Sequence, residues 1–230
     1  MPKGIQTKGL MRKNKMILSA VRQFLEKGYE KTTTSAIAQA AGFTPSAFFA
    51  SFENKEELLL ILVEKMYSDQ FYRAEGMLEG NKDPLMIYAV ETALQLHIAE
   101  LSEALREIYT MAYSLPKTSE YIYKATADKL RYIFADYLPE AEPKDFYEME
   151  IASAGITRGF MAKKCDFYFT MEHKLTRFLS CCFTLYRVPD EVQKQVIEKV
   201  LQMELKPVAE KLVWDTVEKA EAGFEAMMAR

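Results

Sequence analysis

The 230-residue chain contains few of the residues that build disulfide scaffolds and metal centres. Its three cysteines, Cys165, Cys181 and Cys182, form neither a paired framework nor a C-x-x-C motif. Small secreted domains need paired cysteines, and structural zinc sites need closely spaced ligand pairs. The pattern therefore predicts a cytoplasmic protein with reduced thiols and no bound metal.

Residues and motifs typical of catalysis are also scarce. The two histidines, His97 and His173, stand in no catalytic or metal-binding motif. The nine glycines form no phosphate-cradling loop and no nucleophile elbow. The longest strongly apolar run, residues 58–63, is far shorter than the roughly 20 residues that span a bilayer. We therefore expect a protein that is not an enzyme, needs no cofactor and has no membrane partner.

The sequence shows helical periodicity along most of its length. Segments with apolar residues at helical spacing follow one another, separated by weak breaks at residues 81–84, 115–116 and 139–143. Neither the alternation of β-strands nor a strand-helix rhythm is present. The sequence therefore predicts an all-α fold, with an N-terminal three-helix head over residues 1–56 and a C-terminal helical bundle domain over residues 57–230.

Two short helices with a tight turn between them are predicted inside the head. Thr33 or Thr34 offers a hydroxyl N-cap, Ile37 and Ala38 follow at apolar helical positions, and Gly42 can end the helix in a left-handed turn. This pattern is typical of the first helix and the turn of a helix-turn-helix, a unit that places its second helix in the major groove of DNA.

The second helix of this unit begins after the glycine. Thr44 can cap it, Pro45 suits its first turn, and Phe48 and Phe52 form an apolar stripe that we expect to face inward. The remaining positions share the outer face, namely Pro45, Ser46, Ala47, Phe49 and Ala50.

Positive charge is concentrated at the N-terminus. Residues 1–55 contain nine lysines or arginines and three glutamates, a net charge of +6, whereas the remaining residues carry a net charge of −9. A cationic head attracts the phosphate backbone of DNA. Pairs of short amphipathic helices are also common in helical proteins that bind no DNA. The charge asymmetry favours DNA binding over this alternative.

The residues of the predicted helix-turn-helix and their neighbours match one known pattern position by position. On these residues, the segment 16–58 resembles the DNA-binding head of TetR-family transcriptional regulators. The resemblance covers about a fifth of the chain. It implies a helix-turn-helix head and a variable C-terminal domain for a ligand and for dimerisation. The matching positions are Phe24, Gly28, Tyr29, Thr32, Thr33, Ile37, Ala38, Ala41, Gly42, Phe48, Phe49, Phe52, Lys55 and Glu56.

The second helix departs from the family pattern. Phe49, Ala50 and Ser51 stand where tyrosine followed by a hydrogen-bonding residue is frequent, and Pro45 replaces a frequent lysine. Three explanations are open: apolar contacts with thymine methyl groups, readout of DNA shape with help from a basic arm, or weak sequence discrimination. The first two are favoured jointly, with residues 1–11 as a flexible basic arm; a solvated tail is the other interpretation of that segment.

Phosphate contacts are predicted at two helix starts, where free backbone N–H groups attract anions. Thr33, Thr34 and Ser35 lie at the first, and Lys55 follows a predicted N-cap at the second. The complete predicted DNA-binding set is Thr33, Thr34, Ser35, Thr44, Pro45, Ser46, Ala47, Phe49, Ala50 and Lys55.

For the C-terminal domain, the resemblance implies a ligand cavity lined by aromatic, methionine and polar residues. Ordinary core packing is the alternative explanation for each of them. The predicted ligand-binding residues are Tyr67, Phe71, Tyr88, Thr92, His97, Tyr109, Met111, Tyr113 and Tyr123.

A dimer interface is predicted on two later helical segments, in which small residues alternate with large apolar ones. The alternative is packing of these segments within one chain, against the last two helices. The predicted interface residues are Ala152, Gly155, Ile156, Gly159, Phe160, Phe178, Leu179, Cys182 and Leu185.

The function that follows is transcription regulation. We expect a homodimeric repressor that a small apolar or aromatic ligand releases from a palindromic operator in double-stranded DNA. Because the second helix has few polar side chains, a helical protein–protein interaction module with weak or no sequence-specific DNA binding is the competing interpretation.

Overall fold

The computed structural model describes residues 3–78 and 83–228, without the side chains of residues 3–7, 68–73, 216, 217 and 219–228. Within these ranges the regular structure is helical and contains no strand, which confirms the all-α prediction. Every helix in the described ranges is too short or too polar for a membrane span. The helices are α1 (Lys3–Lys27), α2 (Thr34–Ala40), α3 (Pro45–Phe49), α4 (Lys55–Met77), α5 (Pro84–Leu101), α6 (Glu103–Ala112), α7 (Pro116–Phe134), α8 (Pro143–Ala162), α9 (Met171–Leu185), α10 (Asp190–Leu201) and α11 (Leu205–Met228), with a 3₁₀ turn at Ala135–Tyr137.

The head consists of α1, α2, α3 and the start of α4. Gly28 ends α1 with a left-handed φ of 89°, and the Thr33 hydroxyl caps α2 by accepting a hydrogen bond from the Ala36 N–H (3.1 Å). Asn54 caps α4 in the same way. The fully or almost fully buried residues of the head are Met16, Ala20, Phe24, Ile37, Ala38, Phe48, Phe52 and Leu58.

The described part of the segment predicted as a flexible arm, residues 3–11, is helical instead. α1 begins at Lys3 and runs without a break to Lys27, so residues 3–11 form its first turns. Helical periodicity is weak here because the segment is rich in lysine and glycine. The basic residues of this segment are therefore presented by a helix.

The body is arranged around α5. Residues 85–99 are buried except for Ile87 and His97, as expected of a helix that is apolar on every side. α5 packs against α4, α6, α7, α8, α9, α10 and α11. The boundary predicted at residue 56 lies inside α4, which leaves the head and continues into the body.

Candidate nucleic-acid interface

The turn between α2 and α3 has the closed geometry that a helix-turn-helix requires. Gly42 adopts a left-handed φ of 82°. Its N–H donates to the Gln39 carbonyl (3.0 Å), and the N–H of Phe43 donates to the Ala38 carbonyl (2.9 Å). This pair of bonds is a Schellman motif, which satisfies the last carbonyls of α2 and redirects the chain. The predicted role of Gly42 is confirmed.

α3 has one face in the core and one in solvent. Phe48 and Phe52 are buried as predicted, and their ring centroids lie 5.4 Å apart. Thr44 occupies the N-cap position, but its hydroxyl lies 3.0 Å from the Ser46 hydroxyl and does not bond to the helix backbone. The Phe49 ring is 64% exposed.

The outer face of α3 is therefore open. Thr44, Pro45, Ser46, Phe49 and Ala50 are exposed, and Ala47 is half-buried. At the start of α2, Thr33 is exposed, while Thr34 and Ser35 are half-buried. The structure brings these predicted DNA-binding residues to the surface of the cationic head without showing a contact to DNA.

An arginine that the sequence did not single out fixes the end of α3. Arg12 of α1 donates through Nε to the Ser51 hydroxyl (3.0 Å) and through its terminal nitrogen to the Ala50 carbonyl (3.4 Å). A cation at the carbonyl end of a helix is electrostatically favourable. Between α1 and the turn lies a shallow pocket whose lining residues are Lys8, Gly9, Arg12, Gly42, Phe43, Thr44 and Ala47.

Lys55 has a different role from the predicted one. Its ammonium donates to the carbonyls of Tyr29 (2.6 Å) and Thr32 (2.9 Å) and lies 4.0 Å from the centroid of the Tyr29 ring. Burial, the largest effect, lowers the pKa of Lys55. The ammonium is directed at the loop between α1 and α2, so we correct the assignment of Lys55 as a phosphate contact.

Polar contacts join the head to α6 and α7 of the body. Glu107 of α6 accepts a hydrogen bond from the Glu30 N–H (2.5 Å), just after the end of α1. Glu56 accepts one from the Lys117 N–H (2.6 Å) at the start of α7, and the Lys117 ammonium pairs with Glu53. No local signal predicts these pairs, because their members are 61 to 77 residues apart.

Two of the predicted ligand residues belong to a buried polar network in the body. The hydroxyls of Tyr67 and Tyr113 are hydrogen-bonded to each other, and Tyr113 donates to Gln95 (3.0 Å). Gln95 in turn donates to the Glu91 carboxylate. Burial raises the pKa of Glu91 to about 7, while the Gln95 hydrogen bond and the charge of Lys129 oppose the rise.

A second buried carboxyl lies on α8. Glu150 accepts a hydrogen bond from the Ser153 hydroxyl (2.5 Å), which also accepts one from the Tyr186 hydroxyl (3.0 Å). Burial raises the pKa of Glu150 to about 8, and the charge of Glu91 adds to this rise. The centre of the body thus holds two carboxyls that keep their protons to a higher pH than ordinary glutamates do.

The other predicted ligand residues are spread over the body. Tyr88 is buried against Phe134, and the Thr92 hydroxyl donates to the Tyr88 carbonyl (2.8 Å). Tyr109 is buried, whereas Met111, Tyr123 and His97 are half-buried. Burial lowers the pKa of His97 to about 4. The Phe71 side chain lies outside the described residues.

The predicted dimer residues fall into two groups. Phe178, Leu179 and Cys182 are completely buried inside the protomer, so they cannot contact a second copy, and this part of the prediction is corrected. Their apolar face on α9 packs inward. The surface members are exposed Ala152, Gly155 and Gly159 and half-buried Ile156, Phe160 and Leu185.

Comparisons with known proteins find similarity to bacterial regulators. The family described as "Bacterial regulatory proteins, tetR family" matches residues 17–62. The negative transcriptional regulator IcaR of the biofilm operon icaADBC from Staphylococcus epidermidis is 27% identical over 105 residues, which are 46% of this chain and 55% of IcaR. The transcriptional regulator TcmR from Streptomyces glaucescens is 32% identical over 83 residues, or 36% of each chain. The chain thus spans about half or less of these curated relatives.

A solved structure extends the likeness to three quarters of the chain. SmeT, the repressor of the Stenotrophomonas maltophilia multidrug efflux pump SmeDEF, superposes with a TM-score of 0.52 at 19% identity, covering 75% of this chain and 88% of SmeT. The molecule is thus a helical protein with a helix-turn-helix head on a larger helical body. Residues 17–62 thus carry a head of the kind found in bacterial regulatory proteins of the tetR family, and the curated relatives that the chain resembles are transcriptional regulators.

Proposed function

We propose that the chain forms a homodimeric repressor that binds a palindromic operator and leaves it when a small apolar or aromatic molecule occupies the body. The observation that carries this proposal is the open outer face of α3 on a cationic head. The body covers neither Phe49 nor Pro45, so the helix is free to enter a major groove.

Sequence readout would depend on apolar contact. The exposed groups of α3 are the Phe49 ring, the methyl of Ala50, the ring of Pro45 and the hydroxyls of Thr44 and Ser46. These side chains suit thymine methyl groups better than the bidentate hydrogen-bonding edges of guanine or adenine. We therefore expect an operator with thymines at the positions that face α3, and phosphate contacts near Thr33, Thr34 and Ser35.

Release would pass through the contacts between head and body. Glu107 ties α6 to the end of α1, and Glu56 ties the start of α4 to Lys117 of α7. A ligand that prefers a body conformation in which α6 or α7 has moved would displace the head from its DNA-binding position. By linkage, DNA then weakens binding of the ligand by the same factor.

The interior of the body supports an apolar or aromatic ligand. Tyr67, Tyr88, Tyr109 and Tyr113 are buried there. Aromatic walls with a few hydroxyls and amides are typical of small-molecule sites. The homodimer would place two heads on half-sites roughly 34 Å apart and would use the exposed face of α8.

Selection from a pool of random DNA duplexes at low salt tests the proposal. We expect an enriched palindrome, and we expect Phe49→Ala to weaken binding to it, measured by fluorescence anisotropy. Tyr132→Ala is the matched control, because it removes a 73% exposed ring from α7 in the body. No enriched palindrome, or equal losses for both variants, would favour a helical protein–protein interaction module instead.

A further inference from the structure

Two neighbouring aromatic rings project from the loop between α8 and α9. Phe167 is 88% exposed and Tyr168 is 86% exposed, more than any other exposed large apolar side chain of the described residues. The rings contact each other edge to face, with centroids 5.2 Å apart. We call this pair the aromatic tip. So much aromatic surface on one short loop is typical of an interaction site.

The loop holds the aromatic tip in one conformation. One carboxylate oxygen of Asp166 accepts hydrogen bonds from the Tyr168 and Phe169 N–H groups (2.9 Å each), and the Asp166 N–H donates to the Phe169 carbonyl (3.0 Å). The ammonium of Lys163 lies 2.8 Å from the other carboxylate oxygen. The backbone under both rings is therefore fixed before any partner binds.

A buried ion pair anchors the same loop to the body. Lys174 of α9 is completely buried, and its ammonium donates to Glu100 of α5 (2.5 Å) and to the Lys163 carbonyl. Glu100 also accepts a hydrogen bond from the Cys165 N–H (3.2 Å). A buried lysine is costly unless it is paired, so this arrangement binds the loop firmly to α5 and α9. Such preorganisation reduces the entropy lost when a partner binds.

We propose that the aromatic tip is the main apolar anchor between two copies of this chain, an inference that rests on the homodimer of the proposed function. The aromatic tip follows directly after α8, whose outward face carries Ala152, Gly155 and Gly159. These residues let a second helix approach closely, but they add little apolar area. Ile151, on the same helix, is 45% exposed.

The area that a dimer needs favours a second copy of the chain as the occupant. A stable interface buries about 800 Å² on each partner. An aromatic side chain buries about 150–250 Å², so Phe167 and Tyr168 together contribute about 300–500 Å². Ala152, Gly155 and Gly159 on α8 offer much less apolar area for each side chain. Exposed aromatic residues held in one conformation are also the usual hot spots of interfaces.

Sedimentation equilibrium of the full chain tests the inference with the double variant F167A/Y168A. Both side chains are exposed, so the fold and Tm should stay unchanged, which circular dichroism verifies. We expect the Kd of the dimer to rise at least about 30-fold, the effect of losing one hot-spot residue. Tyr132→Ala, the matched control on α7, should leave the Kd as in the wild-type chain.

Two contrary outcomes are distinguishable. If the wild-type chain dimerises and F167A/Y168A and Tyr132→Ala have the same dimer Kd, the proposed role of the aromatic tip is overturned. The homodimer is then unaffected. A wild-type chain that stays monomeric at about 100 μM overturns the homodimer and the aromatic tip with it, because Kd values weaker than this lie outside those of stable interfaces.

A fluorescence measurement gives an independent readout at the aromatic tip. The chain has one tryptophan, Trp214, so the double variant W214F/F167W carries a single reporter in place of Phe167. We expect its emission to shift to shorter wavelength as the concentration rises through the Kd of the dimer. An emission maximum that stays at the solvent-exposed position while the dimer forms would overturn the inference.

Discussion

Raising the pH should destabilise the body, because Glu91 and Glu150 are buried carboxyls. Burial raises their pKa values to about 7 and about 8 from an ordinary value of 4.5. The unfolded chain releases both protons near pH 4.5, whereas the folded protein keeps them until pH 7 to 8. Stability from these groups is therefore full below pH 4.5 and is lost as the pH rises through 7 and 8.

The magnitude follows from the two pKa values. Above pH 6 both carboxyls are ionised in the unfolded chain, and each pH unit over which a folded carboxyl stays protonated costs about 1.4 kcal/mol. For Glu91 this lasts about one unit, from pH 6 to 7, and for Glu150 about two units, from pH 6 to 8. The free energy of unfolding should therefore fall by about 4 kcal/mol between pH 6 and pH 9. For a chain of this size that lowers Tm by about 8–16 °C.

Thermal unfolding followed by circular dichroism at pH 6, 7, 8 and 9 measures the effect. We expect the Tm of the wild-type chain to fall across this range, and that of the double variant E91Q/E150Q to change much less. Glu148→Gln is the matched control, because Glu148 is an exposed carboxyl two residues from Glu150 on α8. If the wild-type chain and E91Q/E150Q lose Tm in parallel, the reasoning from buried carboxyls is refuted.

Three further substitutions test the head. Gly28→Ala adds a Cβ that would lie 2.1 Å from the Glu107 carboxylate at a φ of +89°, whereas Gly42→Ala, at a φ of +82°, meets nothing within 4 Å. Both should lose about 1–2 kcal/mol from backbone strain, but Gly28→Ala should lower Tm further. Adding Glu107→Ala should remove the difference, and equal Tm values for the two single variants would contradict the packing. Phe49→Ala should weaken DNA binding in anisotropy titrations without changing Tm or the salt slope, because an apolar side chain displaces no counterion; a smaller slope would contradict apolar contact. Lys55→Met should lower stability by about 1–3 kcal/mol, because three loop carbonyls lose their donor. A salt slope reduced by about one with unchanged Tm would instead restore the phosphate contact.

The helix-turn-helix could be predicted closely because its determinants are local. Thr33 caps α2 from three residues away, and Gly42 closes the turn through its own φ and two short-range hydrogen bonds. Phe48 and Phe52 lie one turn apart, so their shared inward face follows from helical spacing. Each of these features is encoded within a window of a few residues.

The wrong role of Lys55 and the missed role of Arg12 both depend on contacts between distant residues. Lys55 follows a cap at a helix start, which locally suggests an anion site, but its carbonyl partners lie 23 to 26 residues earlier. Arg12 reaches Ser51 across 39 residues. Spacing along one chain cannot say which element will pack beside a long cationic side chain, so both roles needed the structure.

Burial within the protomer explains the partly wrong dimer prediction. α9 has one broad apolar face, and periodicity alone does not tell whether that face meets a second copy or the same chain. In the structure this face packs inward with Phe178 and Leu179, against α8, α5 and α10. The surface left for a second copy is smaller and less apolar than the sequence suggested. This shortage is why the exposed Phe167 and Tyr168 gain importance for any dimer.

The packing around α5 explains how an event in the body would reach the head. α5 carries Glu91 and contacts every other helix of the body, so a change of volume beside it must move at least one neighbour. α4, α6, α7 and α11 are the neighbours of α5 that also contact or enter the head. Of these, α6 holds the end of α1 through the Glu107 carboxylate, whereas α4 continues from the helix-turn-helix itself. If α6 moved alone, the hydrogen bond between Glu107 and the Glu30 N–H would break. If α4 and α6 moved together, the head would rotate as a unit. DNA affinity should therefore respond to ligands in Glu107→Ala only if a connection other than the Glu107 contact, through α4 or through Lys117 of α7, transmits the change.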